Sequence, residues 1–225
     1  MKKRIKRNRL KVRYDRVLKC LIVIALIAII AYHIFTVRLT NIYITGNSLV
    51  KDQKIIELAS LQNYPKMITI NTQNIEKILK KESDITNVKV IKKHSTVTIE
   101  VEEATPLYFD ATSKLTVLSN GKTTEKTYQL PVLVNYVPDT IIEKFQKSLL
   151  SIKAEVLVKI SEIKYDPNID SERFLLTMND GNYVYVNLKR FKSVNNYLTI
   201  ISNFKDKKGI IYLDSGSHFK LFEKS

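Results

Sequence analysis

Side chains of the types found in a hydrolytic triad stand close together near the C-terminus. A serine hydroxyl activated by a histidine can attack a carbonyl carbon. The segment lacks the G-x-S-x-G turn that exposes such a serine, and the sequence gives no separate acid to orient the histidine. The sequence therefore predicts no catalytic residue, and a hydrolase is kept as an alternative hypothesis. The residues concerned are Asp214, Ser215, Ser217 and His218.

The other candidates for chemistry are the histidines and an acidic cluster. No H-E-x-x-H motif or paired spacing joins the histidines, so no zinc site is predicted. Alternation along a strand places Glu100 and Glu102, which are followed by Glu103, on a solvated face. The chain has only 5 Gly residues and no phosphate-binding Gly loop, so no cofactor is predicted. The histidines are His33, His94 and His218.

An apolar run follows a basic leader. Residues 21–31 are all Leu, Ile, Val or Ala, and only His33 and Thr36 are polar in the extended run 20–37. A helix that crosses the ~30 Å hydrocarbon layer needs roughly 20 residues. A core helix and a cleaved signal peptide are the alternatives. The run exceeds the ~7–15 residues of a signal peptide and lacks an A-x-A-like site, which favours a retained transmembrane helix over 20–37.

The charge distribution orients this helix. Residues 1–19 contain ten Lys or Arg residues and one acid, Asp15. Because cations resist translocation, the leader is predicted to be a cytoplasmic tail, with the bulk of the chain outside in a single-pass type II arrangement. Residues 1–38 carry +10 of the formal charge of +15, so the basic character belongs to the membrane flank. A nucleic-acid tail is the alternative, but no basic face with aromatic platforms stands out, and no nucleic-acid partner is predicted.

Two patterned segments follow the membrane helix. Alternation and helical spacing predict the order β-α-(β)-α-β-β over 39–103, with M-I-T-I as a short strand or extended link and Asn71 as an N-cap. In the second segment, strands are predicted at 107–109, 114–119 and 129–136, together with a hairpin around Asn179-Asp180-Gly181. Helices are predicted from Asp139 and along the stripe from Phe191 to Ile201. The chain closes with the strand-like stretches GIIYLD and GSHFKLF, and the fold class is α+β.

Several motifs occur in an order that resembles the FtsQ/DivIB family of cell-division proteins. They include I-Y-I-T-G-N after the membrane helix, N-I-E-K-I-L-K-K, and I-T-N-V-K-V-I-K-K-H-S-T-V-T-I-E-V-E-E-A-T-P. Further along come V-L-S-N-G-K, L-P-V-L, I-S-E-I, M-N-D-G-N-Y-V-Y-V and the closing G-I-I-Y-L-D-S-G-S-H-F-K-L-F. The resemblance implies a tail over 1–19, a transmembrane helix over 20–37, a POTRA domain over 38–104 and a β-rich domain over 105–225.

The resemblance also implies a function. It predicts a non-enzymatic scaffold of the division complex at the septal cell membrane, which binds DivIC/FtsB-like and FtsL partners by strand addition and contacts septal wall synthases. A POTRA-containing secretion or assembly component and a membrane-tethered cell-wall hydrolase are the alternatives. The predicted partner-binding residues are Ile210, Ile211, Tyr212, Leu213, Asp214, Ser217, His218, Phe219, Lys220 and Phe222.

Overall fold

A computed structural model describes residues 14–204 and 207–222, so most of the predicted cytoplasmic tail, residues 1–13, lies outside the described part. The first helix, α1, spans Tyr14–Thr36 and is long and apolar enough to cross a membrane by length and composition. The chain divides into two compact units, and α1 belongs to the first. Among the described residues, the first unit comprises 14–45, 52–79 and 89–100, and the second comprises 46–51, 80–88, 101–204 and 207–222.

A three-stranded sheet with short helices follows α1. Its strands β1 (Asn41–Thr45), β2 (Ile85–Lys93) and β3 (Thr96–Glu103) lie in the order β1-β3-β2, and β1 runs parallel to β3. The predicted alternation in β3 is confirmed, because Val97, Ile99 and Val101 are buried while Glu100 and Glu102 are exposed. The short helices are α2 (Asp52–Leu58), a 3-10 helix (Met67–Thr69) and α3 (Thr72–Leu79).

The first three residues of the M-I-T-I stretch form a 3-10 helix, which corrects the predicted short strand or extended link at this place. The 3-10 turn puts Met67 and Ile70 on the buried side three residues apart and leaves Ile68 exposed. A strand would have placed Ile68 and Ile70 on one face, because its side chains alternate. The predicted N-cap is confirmed, since the side-chain oxygen of Asn71 accepts a 3.1 Å hydrogen bond from the amide of Asn74.

A nine-stranded mixed sheet forms the rest of the fold. Its first elements are β4 (Pro106–Asp110), β5 (Leu115–Leu118), β6 (Thr123–Thr124), β7 (Val132–Leu133), α4 (Asp139–Leu150), α5 (Ala154–Leu157) and β8 (Ile160–Tyr165). They are followed by β9 (Arg173–Met178), β10 (Tyr183–Asn187), a 3-10 helix (Leu188–Asn196), α6 (Tyr197–Ser202), β11 (Gly209–Tyr212) and β12 (His218–Leu221). The strands lie in the order β12-β11-β10-β9-β8-β7-β4-β5-β6. The α+β class is confirmed.

The predicted strand over 129–136 shrinks to the two residues of β7. The strand ends here because the side chain of Asn135, and not a backbone group of β7, forms the hydrogen bonds to Tyr165 of β8. The amide group of Asn135 donates to the carbonyl of Tyr165 (2.9 Å) and accepts from its N–H (2.8 Å). The predicted helix from Phe191 also begins differently, as a 3-10 helix that becomes α-helical only at Tyr197.

An aromatic cluster anchors one face of the nine-stranded sheet. Phe145 of α4 stacks on Phe174 of β9 with ring centroids 4.6 Å apart, and Phe191 meets both rings edge-on at 6.1 Å. All three side chains are buried. The helical segments therefore cover the face of β9 and β10 that carries Phe174 and Val184, and the alternate residues of these strands point to the opposite face.

Candidate functional site

β12 is the edge strand at one end of the nine-stranded sheet. Among the strands that the structure describes, it pairs only with β11, in an antiparallel register that sets Ile210 opposite Lys220 and Tyr212 opposite His218. β11 in turn lies between β12 and β10. Of the two stretches predicted to form a partner-binding edge, therefore, only the second has a free side.

The register shows which backbone groups of β12 face outward. The amide of Phe222 donates to the carbonyl of Lys208 (3.1 Å), so residues 222, 220 and 218 direct their backbone groups to β11. The residues between them, Phe219 and Leu221, direct their N–H and C=O groups to the free side. This row of unpaired groups is the feature that strand addition requires.

The predicted binding residues divide into three groups. Ile211 and Leu213 are each 1% exposed and belong to the core, which corrects their prediction as partner contacts. Phe219 is half-buried, and its ring packs on Phe204 at 4.4 Å between centroids. The remaining residues lie at the surface: Ile210, Tyr212 and Asp214 are half-buried, and Ser217, His218, Lys220 and Phe222 are exposed.

An aromatic face lies on the side of the sheet opposite the core. Tyr212 lies between two stacking partners, with its ring centroid 5.5 Å from that of Tyr185 and 4.7 Å from the imidazole of His218. Tyr183 and Phe222 meet edge-on at 5.8 Å. These five side chains, which we call the aromatic face, connect β10, β11 and the end of β12. Half-exposed aromatic rings of this kind contribute strongly to protein interfaces.

Arg173 packs against the aromatic face through the ring of Tyr185. Arg173 was not predicted from the sequence. Its Nε donates to Oδ2 of Asp214 (2.7 Å), its Nη1 donates to Oδ2 of Asp166 (3.1 Å), and its guanidinium lies 3.7 Å from the centroid of the Tyr185 ring. The Arg173 side chain is 6% exposed. Strand alternation alone places Arg173 on the outward face, and no sequence pattern brings the two acids to it.

The turn of the β9–β10 hairpin fastens the start of β11. The Asn182 side chain is buried and accepts a 2.9 Å hydrogen bond from the amide of Gly209. Asp180 accepts from the Asn182 amide (3.1 Å) and from the hydroxyl of Tyr197 (2.6 Å). Burial and the adjacent Asp180 carboxylate raise the pKa of Tyr197, so its hydroxyl stays protonated and donates. The predicted hairpin turn therefore also positions the strand beside the edge.

The residue types of a hydrolytic triad are not arranged as one. The carboxylate of Asp214 is engaged by Arg173 and by the Ser215 amide (2.8 Å), and the His218 ring stacks on Tyr212. Within residues 207–222, no hydrogen bond joins Ser217 to His218. The arrangement therefore lacks the serine–histidine and histidine–acid contacts on which nucleophile activation depends.

Glu103 of the acidic cluster has a structural role. Its carboxylate accepts hydrogen bonds from the amides of Ser48 (2.8 Å), Leu49 (2.8 Å) and Val50 (2.7 Å). Burial raises the pKa of this carboxyl, but these hydrogen bonds outweigh it and hold the pKa below its ordinary value. The charged Glu103 side chain therefore holds the backbone of residues 48–50 in place. Glu100 and Glu102 are exposed, as the predicted solvated face requires.

Gly209 permits the close approach of β11 and β12. A Cβ at this position would collide with the carbonyl oxygen of Lys220 and lie 2.9 Å from the ring of Phe219.

We expect Gly209→Ala to destabilise the pairing of β12 with β11 by about 1–3 kcal/mol, because the backbone cannot move away without breaking the hydrogen bonds between the two strands. Hydrogen exchange of the Phe222 amide should become faster. Gly216→Ala is the matched control, since its Cβ would meet nothing nearer than the His218 ring nitrogen at 3.9 Å. Equal exchange in the two variants would contradict the prediction.

Comparison with known proteins gives consistent matches. Residues 37–104 match the POTRA domain, FtsQ-type. The chain is 28% identical over 191 residues to the cell division protein DivIB of Geobacillus kaustophilus, an alignment that covers 80% of this chain and 73% of that protein. It is also 28% identical over 243 residues to the DivIB of Enterococcus faecalis, covering 99% of this chain and 62% of that protein.

A solved structure of the major extracytoplasmic domain of DivIB from Geobacillus stearothermophilus is also similar. It shares 24% sequence identity, with a TM-score of 0.38, and the match covers 47% of this chain and 96% of that domain.

Proposed function

Because the chain belongs to the FtsQ/DivIB family of cell-division proteins, we propose that it is a non-enzymatic scaffold that promotes assembly of the division complex and links it to septal wall synthesis. In this proposal, residues 1–19 form a cytoplasmic tail and 20–37 span the membrane. Residues 38–104 form the POTRA domain, and 105–225 form the β-rich domain that binds partners. The bulk of the chain then lies outside the membrane, at the division septum.

The observation that carries this proposal is the free side of β12. Phe219 and Leu221 present backbone donors and acceptors there, next to the aromatic face. A partner segment that adds as a further strand satisfies these groups, and its side chains are selected by the neighbouring surface. Tyr212 and Phe222 are the proposed aromatic contacts, and Lys220, which is exposed, suits an acidic partner residue.

The proposed partners are a DivIC/FtsB-like protein together with FtsL. The family supports this assignment for the kind of partner, and the edge geometry supports the mode of binding. The basic leader supports the orientation, because ten cations within residues 1–19 favour retention on the cytoplasmic side.

Co-purification from solubilised membranes tests the proposal. The full chain should retain the DivIC-like protein and FtsL, and a chain that ends at Gly216, which lacks β12, should lose both while α1 still inserts in the membrane. Depletion of the protein should give filamentous cells, and a fluorescent fusion should locate at midcell. Uniform membrane fluorescence with normal division would contradict the scaffold role, and retention of both partners by the shortened chain would contradict the binding mode.

A further inference from the structure

α1 and the residues that follow it belong to the first compact unit. α1 ends at Thr36, and the next residues are held by backbone hydrogen bonds. The carbonyl of Val37 accepts from Met67 (2.9 Å), the amide of Leu39 donates to Pro65 (3.0 Å), and the amide of Thr40 donates to Ser95 (2.7 Å). Arg38 forms an isolated antiparallel bridge with Lys66. The segments 65–68 and 92–95 are therefore fixed beside the C-terminal end of α1.

This attachment sets the depth of the two segments relative to a bilayer. The apolar run 20–37 is roughly 27 Å long as a helix, which is about the thickness of the hydrocarbon layer. Its C-terminal end thus reaches the boundary with the headgroups, and Arg38 follows at the level of the lipid phosphates. This step rests on the membrane anchoring in the proposed function.

An open cavity of about 750 Å³ lies at this junction. Arg38, Lys92 and His94 contribute cationic or polar groups to its lining, and Val37, Met67 and Ile68 contribute apolar ones. The ten residues that line it include no carboxylate. Ile68 is 44% exposed, although it is a large aliphatic side chain. The cavity thus combines positive charge with an apolar margin on the side of α1.

Lys92 is held in a position that suits an anion. Its ammonium donates to the carbonyls of Met67 (3.1 Å) and Ile70 (3.0 Å), which fix the side chain across the 3-10 helix. These two acceptors are neutral, so the charge is not cancelled, and one of the three ammonium N–H groups is left for a ligand. Arg38 is exposed on the same cavity and can donate to a phosphate in bidentate fashion.

We propose that this cavity binds the headgroup of an anionic phospholipid in the leaflet on the side of the membrane opposite the basic leader. Arg38 and Lys92 contact the lipid phosphate, and Ile68 lies against the upper part of an acyl chain. Charge complementarity favours an anionic headgroup, because the lining offers no acid to a choline or ethanolamine group. The contact orients the first unit on the membrane surface.

The test uses the full chain reconstituted in nanodiscs of phosphatidylcholine with a minor fraction of phosphatidylglycerol. After extraction into mild detergent, the phosphatidylglycerol retained per protein is measured by native mass spectrometry. We expect enrichment over the bulk ratio, and a decrease of at least roughly fivefold in Arg38→Gln/Lys92→Gln, since each interfacial cation is worth about that factor. Lys77→Gln/Lys147→Gln, which removes the same charge from exposed positions on α3 and α4, should retain the lipid as the unaltered chain does.

Each outcome separates this inference from the proposed function. Equal retention by the two double variants would overturn the lipid site, and so would equal saturation by soluble glycerol phosphate, which would indicate a free-phosphate site. Membrane insertion is checked by resistance to alkaline extraction, and partner capture by co-purification of the DivIC-like protein. A chain that inserts and captures its partner without lipid selectivity would overturn this inference alone, whereas a chain that does not insert would overturn both.

Discussion

Leu221→Pro should weaken binding of the proposed DivIC-like partner by about 10- to 100-fold while leaving the sheet folded. The amide of Leu221 faces the free side of β12, so proline removes a donor that only an added strand uses. The proline ring also occupies the space where the backbone of that strand would lie. Proline is tolerated on edge strands for the same reason, because no internal ladder bond is lost there.

The side chain of Leu221 adds little to the fold, since it is 47% exposed. Leu221→Ala is therefore the matched control: it keeps the amide and shortens the side chain. Affinity is measured with the full chain in detergent micelles, and the urea midpoint is recorded for each variant. A loss of affinity in Leu221→Ala as large as in Leu221→Pro would assign the contact to the side chain and contradict backbone pairing.

Proline at Ile211 or Tyr212 would not separate a loss of partner binding from a loss of folding. Both residues lie on β11, which pairs with β10 on one side and β12 on the other. Proline at either position breaks the sheet that supports the edge, so a loss of binding follows from unfolding. The free edge is β12, which lies in the second of the two predicted stretches. The first stretch contains β11, an inner strand.

The sequence predicts local structure well where neighbouring residues decide it. Alternation from Arg173 to Leu188 and the turn at Asn179-Asp180-Gly181 are sufficient for the β9–β10 hairpin, because register and turn belong to one continuous stretch. The same holds for the N-cap at Asn71. The resemblance to the FtsQ/DivIB family adds the order of the domains, which no single motif specifies.

Long-range pairing was not predictable from the same patterns. β11 joins β10 in parallel after an excursion through a 3-10 helix and α6, and nothing in the G-I-I-Y sequence distinguishes an inner strand from an edge strand. The short β7 likewise depends on a side chain, Asn135, replacing the backbone opposite Tyr165. Such contacts depend on which strands become neighbours in the folded chain.

Arg173→Met should destabilise the protein by about 3–5 kcal/mol, the cost of leaving two mostly buried carboxylates without their counter-charge. The side chains of Asp166 and Asp214 are only 13% and 12% exposed, so water does not replace the guanidinium. Methionine fills similar volume, which separates loss of charge from loss of packing. The contact of the guanidinium with the Tyr185 ring is lost as well.

The comparison of three variants isolates this cause. Arg190→Met removes an exposed arginine from the same unit and should change the unfolding free energy by less than about 0.5 kcal/mol. Adding Asp166→Asn and Asp214→Asn to Arg173→Met should restore a large part of the loss, because neutral amides cost less to bury than unpaired carboxylates. Urea unfolding of the full chain in micelles measures all three. If the triple variant were no more stable than Arg173→Met, the arginine would act by packing. The ion-pair network would then not be what holds Asp214 at the end of β11, beside the free edge strand β12.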